Sequence, residues 1–240
     1  MQVQIEDNFD EILEVLSKGQ IEVLGQITNS SNVTVYTELI YLDKKINAVY
    51  KPERGERPLH DFPSGLYKRE QAAYDLSEQL GWDLVPPTVV RDGPLGIGSI
   101  QFFIDANFEE HYFTILEDSK HQLTLKKICA FDYLMNNTDR KSSHCLLSNT
   151  NKIWAIDHGL CFHEQYKLRT VIWDFTGQEL PVEILDDLQL IIDSGLTNNL
   201  KELLTNIEID ALYSRCKAML KSRVFPIDET DGRRIPWPPI

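Results

Sequence analysis

Apolar residues recur along this chain at two different spacings, and the change from one to the other divides it. Over residues 8–18, Phe9, Ile12, Leu13, Val15 and Leu16 fall near helical spacing and Gly19 ends the run, which predicts a short amphipathic helix. Ile21–Thr28, Val33–Leu42 and Ile46–Tyr50 are rich in β-branched and aromatic residues, with Asn29-Ser30-Ser31-Asn32 and Asp43-Lys44-Lys45 as turns between them; they predict a hairpin and a third strand. Helical spacing returns over Leu66–Leu80, where Ala72, Ala73, Leu76 and Leu80 share a face and Gly81 supplies the stop. Val89–Val90 and Ser99–Ile104 read as two further strands around the glycine-punctuated segment 93–98. Beyond Asp105-Ala106-Asn107 the pattern is mostly helical: Leu123–Met135, then a short hairpin of Cys145–Leu147 and Ile153–Ile156, then helices over 182–193, 198–205 and 208–221.

The predicted fold class is therefore α+β. Residues 1–104 form an N-terminal antiparallel sheet lobe carrying one helix, and residues 105–240 form a mostly helical C-terminal lobe. No internal repeat or long heptad pattern appears. The tail from Arg233 to Ile240 holds three prolines and cannot be regular helix, so it is expected to lie as an extended arm against its own protein or a neighbour.

Composition narrows the partners. With 240 residues, 42% of them hydrophobic and 25% charged, the chain is long enough for one sizeable core or two lobes around a cleft. A formal net charge of −13 argues against a nucleic-acid duplex or an anionic membrane as an electrostatic partner. No apolar run is long enough to span a bilayer and the start lacks the regions of a secretory signal, so a cytoplasmic location without membrane insertion is expected. Cys129, Cys145, Cys161 and Cys216 are scattered and read as buried free thiols.

Two aspartates carry the candidate chemistry. Asp139, in Asn136-Asn137-Thr138-Asp139-Arg140, and Asp157, in Ala155-Ile156-Asp157-His158-Gly159, each follow an apolar stretch and open a polar loop. Phosphoryl transfer needs one carboxylate to accept the proton of an attacking hydroxyl and another to hold a metal on nucleotide phosphates. Arg140 and Lys141 beside Asp139 favour its ionised form and can face phosphates. Lys51, ending the third strand, is a suitable point charge for phosphates, and Glu70 on the next helix can orient its ammonium. Ser30 and Ser31 in the hairpin tip can cover phosphates, although no glycine fingerprint accompanies them. Gln101, Phe102 and Phe103 can offer main-chain groups to an adenine edge between apolar walls. A competing reading gathers His144, Cys145, His158, Cys161 and His163 around zinc, with hydrogen-bonded or buried side chains as the default.

These segments resemble a known family. Asn137-Thr138-Asp139-Arg140 and Ala155-Ile156-Asp157-His158-Gly159-Leu160 are similar to the catalytic and metal-binding loops of phosphatidylinositol 3-/4-kinases, the type II 4-kinases especially. Val49-Tyr50-Lys51-Pro52, Arg69-Glu70-Gln71-Ala72-Ala73-Tyr74 and Leu84-Val85-Pro86-Pro87-Thr88 look like the lysine strand, glutamate helix and following strand of those enzymes. The runs His158-Gly159-Leu160-Cys161-Phe162-His163 and Leu168–Phe175 resemble a bacterial branch of that superfamily. The likeness spans roughly residues 20–180.

What the resemblance implies is a bilobal kinase-like fold with ATP and divalent ions, Mg²⁺ or Mn²⁺, in the cleft. Lys51 would contact phosphates, Glu70 would orient Lys51, Gln101–Phe103 would form the hinge, Asp139 would be catalytic and Asp157 would bind metal. The acceptor does not carry over and stays open between protein, small-molecule and lipid hydroxyls. Where the family has a metal-binding asparagine, five residues after the catalytic aspartate, this chain has His144, a ligand better suited to Mn²⁺ than to Mg²⁺. Two alternatives follow: a nucleotide-binding pseudokinase acting as a scaffold, and nucleotidyl transfer to a protein.

Overall fold

The computed structural model describes residues 9–27, 32–228, 230 and 234–240. Five strands form one antiparallel sheet in the order β1-β2-β3-β5-β4. They are β1 (Gln20–Ile27), β2 (Thr34–Tyr41), β3 (Lys44–Pro52), β4 (Thr88–Gly93) and β5 (Gly96–Phe102). The expected Val89–Val90 strand extends to Gly93 because Gly93-Pro94-Leu95-Gly96 is itself the tight turn of a hairpin, with Gly96 at φ +96°. Gly98 is fixed by contact: a Cβ there would sit 2.4 Å from the Lys51 carbonyl oxygen, so only glycine lets β5 lie this close to β3.

Helix α1 (Phe9–Lys18) covers one face of the sheet with Ile12, Val15 and Leu16, which join Leu39, Ile46, Tyr50, Ile100 and Trp154 in one apolar cluster. Its last carbonyls are capped from afar. Arg91 Nη1 donates to the carbonyls of Leu16, Ser17 and Gly19 at 3.0, 2.8 and 3.0 Å, placing a cation at the negative end of the helix.

Helix α2 (Leu66–Gln79) lies between β3 and β4 in the chain and packs on both the sheet and the helical portion. Gly65 precedes it at φ +94° and offers no side-chain cap; instead Glu56 accepts from the Gly65 and Tyr67 N–H groups at 2.9 and 2.8 Å. Ala72, Ala73, Leu76 and Leu80 pack with the second, larger cluster, which also draws on α3 (Tyr112–Ile115), α4 (Gln122–Leu134), α5 (Val182–Ser194) through α7 (Asn206–Ser222) and the segments between them. Between α4 and α5 stand the short strands β6 (Cys145–Leu147) and β7 (Ile153–Ala155); α6 (Asn198–Leu203) precedes α7. A Thr205–Glu208 capping box opens α7, each side chain answering the other's backbone N–H.

The tail folds back on its own chain. The Arg234 carbonyl accepts from the Thr170 N–H at 2.9 Å and the Pro239 carbonyl from the Ser142 N–H at 2.9 Å.

Candidate active site

The loops after α4 and after β7 meet the end of β3 across a cleft of about 380 Å³. Lys51 reaches it from the last turn of β3, where alternation along the strand turns its side chain to the cleft while Tyr50 enters the core. Lys51 Nζ lies 2.5 Å from Glu70 Oε1 and 2.9 Å from Asp157 Oδ1. Glu70 uses its other oxygen, Oε2, to accept the His158 N–H at 3.0 Å, so one buried carboxylate ties β3, α2 and the Asp157 loop together. Burial works against the Lys51 charge, but Asp157 and Glu70 outweigh it and hold the ammonium well above the usual lysine range. Burial likewise works against the Asp157 charge, and Lys51 with His144 outweighs it, holding the carboxyl well below the usual range. Asp157 sits at φ +63°, a conformation that aspartate tolerates better than most residues and that aims its carboxylate into the cleft.

Asp139 lines the same cleft. Its N–H donates to Asn137 Oδ1 at 3.0 Å, and Lys141 Nζ stands 3.5 Å from its Oδ2. Its carboxyl is pushed above the usual range, because burial and the nearby Asp157 charge exceed the help of Lys141 and Arg140. The neighbouring cations do favour the ionised form, as expected, but burial and Asp157 outweigh them.

Arg140 is a correction. It is fully buried and turns away from the cleft, with Nε 3.0 Å from both oxygens of Asp132 and Nη2 2.9 Å from Oδ1. Nη1 donates to the carbonyls of His144 and Ile156 at 3.2 and 2.8 Å, and Nη2 to His158 Nε2 at 2.8 Å. Arg140 cannot face phosphates from there; it clamps the Asp139 loop to the Asp157 loop. The reason is Asp132, a fully buried carboxylate on α4 that also accepts from Asn137 Nδ2 at 2.9 Å and Thr170 Oγ1 at 3.2 Å. The sequence reading missed Asp132. Its signal is a charged residue inside the apolar helix run Cys129–Leu134.

His144 lines the cleft with Nε2 3.4 Å from Asp157 Oδ2. The Lys141 N–H approaches Nδ1 at 3.4 Å, which assigns the ring proton to Nε2. Burial lowers its pKa to about 4, with Arg140, Lys141 and Lys51 adding to the effect against Asp157, so the ring is neutral at pH 7. To ligate a metal through Nε2, the ring must shift that proton and give up Lys141. Gly159 also lines the cleft, where a Cβ would meet Glu70 and Leu66 at 3.5 Å, an ordinary contact.

At the other end of the cleft, Gln101, Phe102, Phe103 and Ile104 form part of the wall. The Phe102 and Phe103 N–H groups donate to the carbonyls of Pro87 and Asn47 at 2.9 and 3.0 Å, and Gln101 Nε2 donates to Thr88 Oγ1 at 2.8 Å. Those three donors hold the sheet together. Ser30 and Ser31 lie outside the described residues; Asn32, next to them, lines the cleft.

The groups of the zinc alternative are dispersed among other partners. His158 packs on Arg140, Cys145 and Cys161 are buried in the large apolar cluster, and His163 meets the Phe62 ring at 5.0 Å. Among the described residues no three His, Cys, Asp or Glu side chains gather to hold a metal. The Asp157 carboxylate in the cleft is of the kind a hard divalent ion takes when phosphate oxygens and water complete its shell, since such ions need only one or two protein carboxylates.

A five-stranded sheet and a helical portion flanking a cleft with a paired lysine define the architecture of kinases. Two solved structures share it. A hydra Fam20 structure with sugar superposes with a TM-score of 0.64 at 13% identity, covering 92% of this chain and 89% of that one. The Golgi casein kinase with Mn/ADP bound superposes at 0.60 and 17% identity, covering 97% and 80%. At the level of sequence, the family model for phosphatidylinositol 3- and 4-kinase matches residues 88–216. Protein Rv2133c of Mycobacterium tuberculosis is 36% identical over 261 residues, covering 93% of this chain and 94% of that protein. The chain belongs to the phosphatidylinositol 3- and 4-kinase family, a family of phosphotransferases, and has a bacterial relative over nearly its full length. The family model's match begins at β4, so Lys51 and Glu70 lie outside it.

Proposed function

We propose that this chain is an ATP-dependent phosphotransferase acting on a hydroxyl acceptor. The observation that carries this reading is the Lys51 ammonium held between Glu70 at 2.5 Å and Asp157 at 2.9 Å inside the cleft. Two carboxylates fix one cation where nucleotide phosphates would lie, and positioned charge is most of what phosphoryl transfer asks of a protein. The lobes divide at residues 104 and 105, with the nucleotide between them; the adenine lies along Gln101–Ile104 and the phosphates extend towards Lys51.

Asp157 would hold the metal, with or without His144. A divalent ion bound there supplies charge neutralisation on the β- and γ-phosphates. Asp139 accepts the acceptor's hydroxyl proton. Its raised pKa makes it a stronger base than an exposed aspartate. Lys141 steadies the charge on Asp139, and Asn137 fixes its backbone. Manganese with ADP in the Golgi casein kinase supports the choice of nucleotide and of a divalent ion.

Asp157→Ala is expected to abolish metal-dependent ATP binding in calorimetric titration. Asp139→Ala keeps binding within a few-fold of the parent and lowers turnover by about 100-fold or more. Parent-like binding and turnover in both variants would show the assignment to be wrong.

The His144 tautomer favours a second reading, a nucleotide-binding scaffold with weak turnover. Thermal-shift titration with ATP and either metal, run beside a turnover assay, separates the two. In the enzyme reading, His144→Asn supplies an amide oxygen and moves the metal preference from Mn²⁺ towards Mg²⁺. Stabilisation by ATP without turnover in both proteins favours the scaffold.

A further inference from the structure

A cluster of charge behind the cleft has no part in that chemistry. Arg215, in the middle of α7, is 7% exposed. Its Nε donates to the Leu134 carbonyl at 2.8 Å and its Nη1 to the His163 carbonyl at 3.3 Å. Nη2 is buried and has no acceptor among the described residues. The groups that act on this guanidinium are Tyr133, Cys161 and Tyr166, with no carboxylate among them, and burial pushes its pKa down to about 10. Among the described residues, this buried cation has exchanged water for two carbonyl dipoles and has no carboxylate acting on it.

Arg234, brought by the tail, lies over Tyr166. Its guanidinium carbon is 4.7 Å from the ring centroid and its Nη1 is 3.2 Å from the hydroxyl. Arg234 Nε also pairs with Asp228 Oδ1 at the long distance of 3.9 Å. Tyr133 and Tyr166 meet edge to face at 5.8 Å. Burial raises both phenols, Tyr166 to about 12, so both remain proton donors at neutral pH. In a chain of net charge −13, two arginines and two phenols converge here among the described residues, with Asp228 the carboxylate that pairs with Arg234.

We infer that Arg215 and Arg234 form a site for a phosphate-type oxyanion, with the hydroxyl of Tyr133 and, while unmodified, that of Tyr166 as further donors. Guanidinium forks match tetrahedral oxyanions in charge and geometry, and the unused Nη2 supplies the missing donor. Two sources carry this chemistry. One is a free dianion such as inorganic phosphate. The other is a phosphoryl group on Tyr166 itself, a residue 43% exposed: the γ-phosphoryl of ATP passes to Tyr166 Oη, the hydroxyl proton goes to solvent and ADP leaves.

Occupancy would fix the segment after the Asp157 loop. Asn136 Nδ2 donates to the carbonyls of His163 and Gln165 at 2.9 and 2.7 Å, and its Oδ1 accepts the Lys167 N–H at 2.9 Å. Arg215 shares the His163 carbonyl, so an anion on Arg215 bears directly on residues 163–167.

The first experiment titrates the full chain carrying Lys51→Met with inorganic phosphate, at ionic strength held constant with chloride and without nucleotide. Removing Lys51 takes away phosphate binding in the cleft. Saturable thermal stabilisation is expected, weakened about tenfold or more by Arg234→Gln and by Arg215→Met. Arg234 lies at the surface, so the test stands even if the Arg215 variant fails to fold. The second arm incubates the parent with ATP and Mn²⁺ or Mg²⁺ and maps phosphopeptides; phosphate on Tyr166, with a stabilisation that Arg234→Gln removes, assigns the source to the chain. Phosphate stabilisation that is absent, or equal with and without Arg234, together with unmodified Tyr166, overturns the site. Only the second arm rests on the kinase reading, so a catalytically silent protein that still binds phosphate keeps the site and loses that reading.

Discussion

Arg140 and Asp139 are adjacent in the chain and opposite in orientation. Asp139 looks into the cleft, whereas Arg140 lies behind it on Asp132, with both side chains of the pair fully buried. A carboxylate that accepts from Arg140, Asn137 and Thr170 keeps its charge only while those donors remain. Arg140→Met is expected to lower stability by about 3–5 kcal/mol, because it strands the Asp132 charge. Replacing both Asp132 and Arg140 by apolar residues of similar volume should recover part of that loss. Urea unfolding of the two variants checks this, and additive losses in the double variant would disprove the coupling.

Helix α2 carries a carboxylate near each end, and the ends behave differently. Glu70 meets a lysine and a backbone N–H, while Glu78 faces burial and the carboxyl of Asp83. Burial, with Asp83 adding to it, raises Glu78 to about 7; burial also raises Asp75 to about 6. Glu78 Oε1 and Asp75 Oδ2 are buried without hydrogen-bond partners among the described residues. A carboxyl whose pKa is higher when folded binds more protons in the native state, so its contribution is fully present below about 4.3, the unfolded value, and is lost as pH rises through about 7. Glu78→Gln keeps the neutral form at every pH. It is expected to match the parent in urea unfolding at pH 4 and to exceed it by about 1–2 kcal/mol at pH 8. An equal difference at both pH values would mean that the Glu78 titration is not responsible.

The sheet and the helical portion are joined through α2, and the joint is ionic as well as apolar. Arg69, beside Glu70, pairs with Glu208 at the start of α7 and donates from Nε to the Cys161 carbonyl at 2.9 Å. Both side chains of this pair are buried, and 139 residues separate them in the chain. The pair holds α2 at a fixed distance from α7 and thereby keeps Glu70 on Lys51. Arg69→Met is expected to cost about 2–4 kcal/mol and to raise the KM for ATP more than it lowers kcat, since Lys51 loses orientation but Asp139 does not. Combined with Glu208→Gln, the stability loss should be less than the sum. A variant with unchanged KM would show that α2 is positioned without Arg69.

Periodicity and turn chemistry were enough to find most of the elements, because an amphipathic helix or half-buried strand is written locally in residues three, four or two apart. The four-residue helix α3 left no such pattern, and β4 ran past its apolar core because a hairpin turn was hidden among glycines. Lys51, Glu70, Asp139 and Asp157 were legible as candidates through their places at the ends of predicted elements, and the fold brings all four to one cleft. Their electrostatics were not legible. Whether Arg140 faces a ligand or Asp132, whether Asp139 is favoured or disfavoured as an anion, and which nitrogen of His144 carries the proton all depend on burial and on partners from distant segments. The chain order names the charged groups, but desolvation and the distances between them exist only once sheet, helices and tail have closed around the cleft.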